Sequence, residues 1–275
     1  MTYAAVVGDP VDHSLSPLLH RAAYAHLGLD WDYRRMRVRA GEIARVLADL
    51  DGDCVGLSVT MPHKQDLAAH LDHVDGLAQA TGAINTVVSS AGMLAGFNTD
   101  VYGIVEAVRA QVGERTWPRV CILGAGATAA SAMAAAIQLG CRDLSLVARA
   151  FSGPKRAAAA AHRLGVHPTL FPLAHADTAQ RALAQADLVI STLPGEAAAP
   201  IASQVKLRPD TVVLDVSYAP RPTPWERACA EAGATALSGL HMLIHQALMQ
   251  VQLFSSRQVS PEILYGALEE AGITP

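Results

Sequence analysis

Four side chains in the first hundred residues carry most of the chemistry that this sequence offers. Lys64 ends the segment SVTMPHK, and Asp100 ends the segment NTD. An amine and a carboxylate that lie together can exchange a proton with a hydroxyl or a developing alkoxide. Ser14 and Ser16, in the segment SLSP, offer hydroxyl groups to an anionic, polyhydroxylated ligand. We therefore predict proton transfer on a small polyol acid.

A glycine-rich turn, GAGATA, follows a strand predicted over 120–123 and precedes a helix predicted over 128–139. Gly124 permits a tight turn, and Gly126 lets the backbone approach a pyrophosphate, which the N–H groups of the helix start also favour. The predicted cofactor contacts in this turn are Gly124, Ala125, Gly126, Ala127 and Thr128. The alternative is a turn of this spacing without a ligand. Together with the lysine and the carboxylate, the turn predicts hydride transfer.

The residue after the next predicted strand, 144–148, bears on the choice of cofactor. It is Arg149, where NAD enzymes of this kind usually carry an acid for the ribose hydroxyl. An arginine can pair with a 2′-phosphate and stack on adenine. The position therefore favours NADP, and a solvated surface arginine is the alternative.

Polar side chains in apolar surroundings accompany the amine and the carboxylate. They are Thr60, Asn85, Asn98 and Thr99. Gln246 falls on a predicted C-terminal helix among methionines, where its amide needs a partner that a ligand hydroxyl could supply.

Alternating strand and helix patterns predict an α/β fold that positions these groups. Tyr3–Gly8 reads as a strand, and Ser16 as the N-cap of a helix with proline at its first position. A strand over 54–60 follows, and Pro62 is predicted to open the next helix. Because strand ends face the ligand crevice in such sheets, we expect Lys64 to lie there.

A second module follows a helix predicted over 99–111, and it has a doubly wound, Rossmann-type nucleotide-binding pattern. Its strands are predicted over 120–123, 144–148, 188–191 and 212–215. A long helix from 239 and a last helix near 260 are expected to pack back on the first module. The predicted domains are a substrate-binding and catalytic domain, a dinucleotide-binding domain and C-terminal helices, over 1–101, 102–238 and 239–275.

The composition is that of a buried globular chain: 275 residues, 51% hydrophobic and 17% charged. A net charge of −4 without a basic run disfavours nucleic-acid and anionic-membrane partners. The start of the chain lacks signal-peptide features, and the alanine-rich stretch 125–140 is too short and too weakly apolar to span a bilayer. We expect a soluble, cytoplasmic protein with reduced thiols at Cys54, Cys121, Cys141 and Cys229.

The histidines do not predict a metal site. His241 and His245 stand four residues apart, and His70 and His73 three. Neither pair carries the glutamate of a zincin motif or a third ligand at a suitable spacing. Acyl transfer is also unsupported, since no serine occupies a nucleophile elbow.

The order and combination of the motifs resemble the shikimate dehydrogenase family over nearly the full length of the chain. The matching segments are Ser14–Pro17, Val59–Lys64, Gly82–Thr86, Asn98–Asp100, the turn from Gly124, Ser191–Pro194, Asp215–Pro220 with Thr223, and Gly239–Leu243 with Gln246. The resemblance implies NADP-dependent, reversible reduction of 3-dehydroshikimate to shikimate, a step toward the aromatic amino acids.

The resemblance also implies roles for single residues. Ser14 and Ser16 would hold the substrate carboxylate, and Lys64 would be the acid–base group, paired with Asp100. The implied substrate contacts are Ser14, Ser16, Thr60, Lys64, Asn85, Asp100, Tyr218 and Gln246. Beyond the glycine turn and Arg149, the implied cofactor contacts are Val216 and Gly239.

The chain departs from the family pattern at four places. Ser58 stands where an asparagine is usual, and Ala127 where a third glycine is frequent. The segment 148–150 reads ARA in place of NRT, and the loop after it reads as longer, with Gly153-Pro154 before Lys155. The last two departures weaken the expected recognition of NADP.

Three alternatives remain at the level of sequence. A quinate or quinate/shikimate dehydrogenase using NAD tends to have threonine at the position of Ser16 and an acid near the ribose, and this chain has neither. An aminoshikimate dehydrogenase is another possibility, and no feature of the sequence distinguishes it from a shikimate dehydrogenase. A ligand-sensing regulator without turnover would have no need to keep both Lys64 and Asp100. Monomer and homodimer are both compatible with the sequence.

Overall fold

A computed structural model describes residues 1–153 and 155–274, so Pro154 of the predicted longer loop lies outside the described residues. The chain divides into two compact units. Unit 1 consists of Met1–Gly103 and Leu243–Pro275, and unit 2 of Ile104–Met242. Each unit is built around its own sheet.

The strands, in chain order, are β1 (Tyr3–Gly8), β2 (Asp32–Arg37), β3 (Cys54–Val59), β4 (His73–Val74), β5 (Thr86–Ser90), β6 (Met93–Phe97), β7 (Arg119–Leu123), β8 (Asp143–Ala148), β9 (Thr169–Pro172), β10 (Leu188–Ser191), β11 (Val212–Asp215) and β12 (Thr235–Ser238). The helices are α1 (Ser16–His26), α2 (Ile43–Ala48), α3 (Gly76–Thr81), α4 (Asp100–Val112), α5 (Ala127–Gln138), α6 (Ala157–Leu164), α7 (Ala176–Gln185), α8 (Gly195–Ala202), α9 (Pro224–Ala232), α10 (Gly239–Ser255) and α11 (Pro261–Glu270).

The sheet of unit 1 is mixed, with the order β2-β1-β3-β5-β6-β4. β1 runs parallel to both β2 and β3. β5 runs antiparallel to both of its neighbours in the sheet, β3 and β6. Because β1 and β3 are parallel, the loops that follow Gly8 and Val59 leave the sheet at one edge. That edge receives the segments that contain Ser14, Ser16 and Lys64.

Apolar residues from β1, β3, β5, α2, α3 and the loops between these elements form a buried cluster in unit 1. The buried members of this cluster are Tyr3, Ala5, Val7, Val38, Ile43, Leu47, Cys54, Leu57, Val59, Leu67, Ala78, Ile84 and Val87. Helix α1 packs on α11 in the same unit.

The sheet of unit 2 is entirely parallel, with the order β12-β11-β10-β7-β8-β9. Its strands β10 (LVIS) and β11 (VVLD) are buried at every position, as expected when helices cover both faces of a sheet. The strand order reverses between β10 and β7, and the glycine-rich turn follows β7 at that switch point. The predicted α/β fold class, with a Rossmann-type module, is confirmed.

Two local predictions are wrong. Pro62 does not open a helix, because the backbone hydrogen bonds here join residues three apart, from His63 to Thr60 and from Asp66 to His63. The result is a series of tight turns. Ser16 is the first residue of α1 rather than its N-cap, and the N-cap residue Leu15 makes no side-chain capping bond.

The four cysteines are unpaired thiols. Burial raises the pKa of the Cys229 thiol to about 12, so this group is not a thiolate at neutral pH. Across residues 1–153 and 155–274, no helix combines the length and apolar character that a bilayer span requires.

Candidate active site

Lys64 and Asp100 form a buried ion pair in unit 1. Lys64 Nζ lies 2.6 Å from Asp100 Oδ2, and the two side chains are 13% and 4% exposed. Charge-assisted hydrogen bonds of this length in a partly dry site are strong, and they hold a flexible lysine in one geometry. The pair brings together two residues that stand 36 positions apart in the chain.

Asn85 fixes the other oxygen of the same carboxylate. Its Nδ2 donates to Asp100 Oδ1 at 2.8 Å and to Thr99 Oγ1 at 2.9 Å. The backbone N–H of Thr99 and the hydroxyl of Thr86 both donate to Asn85 Oδ1, at 2.7 and 3.0 Å, and together they orient the amide. Each carboxylate oxygen of Asp100 therefore has a hydrogen-bond donor.

Local backbone contacts place the two charged residues. In the turns after β3, Lys64 O accepts from Ile84 N–H at 2.7 Å. The preceding residue, His63, is fully buried, and its Nε2 bonds to Val38 O at 2.8 Å. Asp100 is the first residue of α4, where the helix dipole favours a negative charge.

The serine loop lies after β1 in the same unit. Ser14 Oγ accepts from the backbone N–H of Ser16 at 3.3 Å, and Arg35 Nη2 donates to Ser14 O at 2.9 Å. Ser16 is buried at the start of α1. Thr60, which follows β3, is half-buried, and its N–H donates to Val7 O at 2.9 Å.

A second polar cluster in unit 1 was not identified from the sequence. Tyr33 Oη donates to Ser58 Oγ at 2.6 Å, and Ser58 Oγ donates to Gln250 Oε1 at 2.8 Å. His20 Nε2 lies 3.2 Å from the same Gln250 oxygen, and its ring stacks on Tyr33 with centroids 4.2 Å apart. Burial lowers the pKa of His20 to about 3, so its ring is neutral at physiological pH.

The spacing of two glutamines in the sequence could have indicated this polar cluster. Gln250 stands four residues after Gln246 in an otherwise apolar helix, and residues four apart share a helix face. Gln246 is buried, and its Nε2 donates to Leu243 O in the same helix at 2.9 Å.

The glycine turn of unit 2 has the geometry of a phosphate cradle. Gly124 has a φ of +120°, and a Cβ there would overlap Thr192 Oγ1. Gly126 is the exposed N-cap of α5, and among the described residues no side chain caps this helix. The first N–H groups of α5 therefore remain available to an anion, so the turn fits a dinucleotide phosphate.

The remaining predicted cofactor contacts, and Tyr218 as a predicted substrate contact, lie in unit 2. Gly239 begins α10 against the Val216 carbonyl, which a Cβ at position 239 would overlap. Tyr218 follows β11 and is half-buried. Arg149 directly follows β8 and is exposed, with its guanidinium accessible to a ligand. Among the residues that the structure describes, no group of three His, Cys, Asp or Glu side chains is arranged to hold a metal ion.

In comparisons with known proteins, a different family model matches each of the two units. A family model described as "Shikimate dehydrogenase substrate binding domain" matches residues 6–87, which lie in unit 1. Another, described as "NADP oxidoreductase coenzyme F420-dependent", matches residues 119–219, which lie in unit 2.

Whole-chain relatives extend the match. A shikimate dehydrogenase (NADP(+)) of Thermosynechococcus vestitus is 33% identical over 276 residues, covering 97% of this chain and 94% of the relative. The crystal structure of Mycobacterium tuberculosis shikimate dehydrogenase superposes with a TM-score of 0.85 at 35% identity and covers 98% of this chain and 100% of that one. Quinate dehydrogenase from Corynebacterium glutamicum in complex with NAD also superposes with a TM-score of 0.85, at 28% identity, and covers 98% and 99% of the two chains.

Proposed function

This chain belongs to the shikimate dehydrogenase family, and we propose that it interconverts 3-dehydroshikimate and shikimate with Lys64 and Asp100 as its acid–base pair. The reaction is an NADP-dependent oxidoreduction of the kind that the cyanobacterial relative is named for. The observation that supports the assignment of the pair is the buried 2.6 Å contact between Lys64 Nζ and Asp100 Oδ2.

When bound, the cofactor supplies or accepts the hydride at the carbon that changes oxidation state. In the direction of reduction, the carbonyl oxygen gains the charge of an alkoxide, and Lys64 Nζ donates a proton to it. The lysine then regains a proton from water, which its partial exposure permits. In the direction of oxidation, the unprotonated amine takes the proton of the substrate hydroxyl. Asp100 holds Nζ in place in both directions.

The serine loop supplies groups for the substrate carboxylate. Ser14 Oγ accepts a hydrogen bond from Ser16 N–H, so the hydroxyl proton of Ser14 can point toward an anion. The guanidinium of Arg35, bonded to Ser14 O, adds positive charge at this loop. In the same unit, the half-buried Thr60 can offer its hydroxyl to the substrate, whereas the Asn85 amide hydrogens are engaged by Thr99 and Asp100 and support the carboxylate.

The preference for NADP is supported by the end of β8. Arg149 follows this strand directly, and the residue pattern has no acid there for a ribose hydroxyl. A guanidinium can pair bidentately with a 2′-phosphate, whereas it gains nothing comparable from a hydroxyl. The open N-terminus of α5 serves the pyrophosphate.

Part of this evidence is also compatible with two other functions. The similarity to a quinate dehydrogenase bound to NAD leaves quinate as a second candidate substrate. A regulator that binds the acid without oxidising it would need the serine loop but not the Lys64–Asp100 pair.

One assay separates these functions. Purified protein is mixed with shikimate or quinate and with NADP or NAD, and the reduced nicotinamide is followed by its absorbance. We expect the highest kcat/KM with shikimate and NADP. Faster turnover of quinate with NAD would assign the second function, and calorimetric binding of shikimate without any reduced cofactor would assign the regulator.

A further inference from the structure

Gln250, on α10, is buried and only 1% exposed. Its Nε2 donates to Asn85 O at 3.2 Å and to Thr86 Oγ1 at 2.9 Å. Its Oε1 is the oxygen that receives Ser58 Oγ at 2.8 Å. A single side chain on α10 therefore joins β3 to the start of β5.

The direction of every bond in this group is determined by its neighbours. A backbone carbonyl only accepts, so the nitrogen of the Gln250 amide must face Asn85 O, and its oxygen must face Ser58. The neutral ring of His20 also contacts this oxygen, and it must do so as a donor. The ring proton is therefore on Nε2, and Nδ1 accepts a hydrogen bond from Tyr24 Oη at 3.3 Å.

The amide arm of Gln250 leads to Asp100 in two further steps. Thr86 Oγ1 accepts from Gln250 and donates to Asn85 Oδ1 at 3.0 Å. Asn85 Nδ2 then donates to Asp100 Oδ1 at 2.8 Å. A rotation of the Gln250 amide would remove this donor, and the Thr86 hydroxyl could then turn from Asn85 toward Thr99 Oγ1, which lies 3.2 Å away.

We propose that Gln250 is a positioning residue: through Thr86 it holds the Asn85 amide on Asp100, and thereby holds the carboxylate that aligns Lys64. This role rests on the proposed function. It assigns to the chain a residue that touches neither reacting group and that the motif pattern of the sequence did not include.

The first test replaces the amide at nearly constant volume. Gln250→Met removes both hydrogen-bonding arms, and Gln252→Met, two residues further along α10 and half-buried, is the matched control. A misalignment well below 1 Å at the proton-transferring pair is expected to lower kcat for shikimate by about tenfold. The KM for NADP should be unchanged in both variants. Wild-type kcat in Gln250→Met would overturn the proposal.

A rescue separates positioning from a merely structural role. Ser58 and Thr86 are register partners on the antiparallel strands β3 and β5, so their side chains share one face. In Gln250→Ala, the added change Ser58→Asn places a new amide next to Thr86. We expect the double variant to recover most of the kcat that Gln250→Ala loses. Recovery of the melting temperature without recovery of kcat would contradict the proposal.

A third readout does not depend on which substrate is turned over. The side-chain amide protons of Asn85 are held between Asp100 and Thr99, and we expect them to exchange slowly with water in the wild type. In ¹⁵N-labelled Gln250→Met they should exchange faster, whereas in Gln252→Met they should not. Unchanged exchange in Gln250→Met would overturn the positioning role even if shikimate proved not to be the substrate.

Discussion

Two buried aspartates, one in each unit, show how differently the same side chain can be accommodated. In unit 1, Asp100 has a donor on each oxygen, Lys64 on one and Asn85 on the other. In unit 2, Asp215 at the end of β11 accepts from Ser217 N–H at 3.2 Å, and its other oxygen has no hydrogen-bond partner among the described residues. Burial raises the pKa of Asp215 to about 6. The comparison shows that hydrogen-bond donors compensate the burial of Asp100, whereas the burial of Asp215 is compensated only in part and raises the pKa of its carboxyl group.

The two units also differ in what they offer to a ligand. The site in unit 1 is made of side chains that constrain one another through hydrogen bonds. The cofactor turn in unit 2 is made of backbone, with Gly124 and Gly126 leaving room and the start of α5 supplying N–H groups. Side-chain deletion should therefore damage the first site, and added volume should damage the second.

The largest effect is expected from the amine of unit 1. Lys64→Ala removes the proton donor but leaves the serine loop intact. The kcat for shikimate oxidation should fall by about two to four decades, while the dissociation constant for shikimate, measured by calorimetry, changes little. Unchanged turnover would remove Lys64 from the chemistry.

The next effect concerns the aspartate of unit 2 and the stability of the protein. The folded-state pKa of Asp215 is about 6 and its ordinary value is 3.8, so between these values the folded state binds more protons than the unfolded state. The free energy of unfolding therefore falls as the pH rises from 4 to above 6, by up to about 3 kcal/mol from this group. In Asp215→Asn, this decrease in the free energy of unfolding with rising pH should be absent.

The measurement is urea unfolding of both proteins at several pH values. Neutral His20 acts in the opposite sense over an overlapping range, because its pKa is lowered to about 3 and acid therefore favours unfolding. The difference between variant and wild type cancels that contribution. A difference that stayed constant from pH 4 to pH 7 would show that Asp215 does not titrate within this range.

The smallest of these effects tests the backbone site by adding volume. Gly126 has a φ of −92°, and a Cβ there would meet no described atom within 4 Å, so Gly126→Ala should fold normally. A methyl group against the pyrophosphate should raise the KM for NADP by about tenfold. Gly76→Ala, at the start of α3 and equally open, is the control and should leave the KM unchanged. An equal KM in both variants would argue against phosphate binding at this turn.

The sequence predicted those parts of the fold that depend on local patterns. The apolar strand β7, the glycine turn and helix α5 were recognisable because a buried parallel strand, a tight turn and a helix start each have a local signature. The segment after Pro62 was mispredicted, because a proline next to a strand suits a helix start and a turn equally well. Tertiary contacts such as that of His63 with Val38 decide between them.

The residues of the site were predictable only in part, for a related reason. The residue types and motifs marked Lys64, Asp100 and Asn85, but no local pattern could reveal that Ser58 and Gln250, 192 positions apart, share a hydrogen bond. In the sequence, Ser58 stood where an asparagine is usual, a change that shortens the polar side chain. Its hydroxyl instead bonds to both Tyr33 and Gln250, so the polar contact is supplied from another element.

The most direct measurement of the central claim is a double-mutant cycle on the two charged residues of unit 1. It compares kcat for shikimate oxidation, at saturating NADP, in Lys64→Ala, Asp100→Asn and the double variant. If the two side chains act as one acid–base unit, the double variant should be no slower than Lys64→Ala, within about threefold. A double variant whose loss equals the product of the two single losses would mean that Lys64 and Asp100 act independently, and would contradict the account.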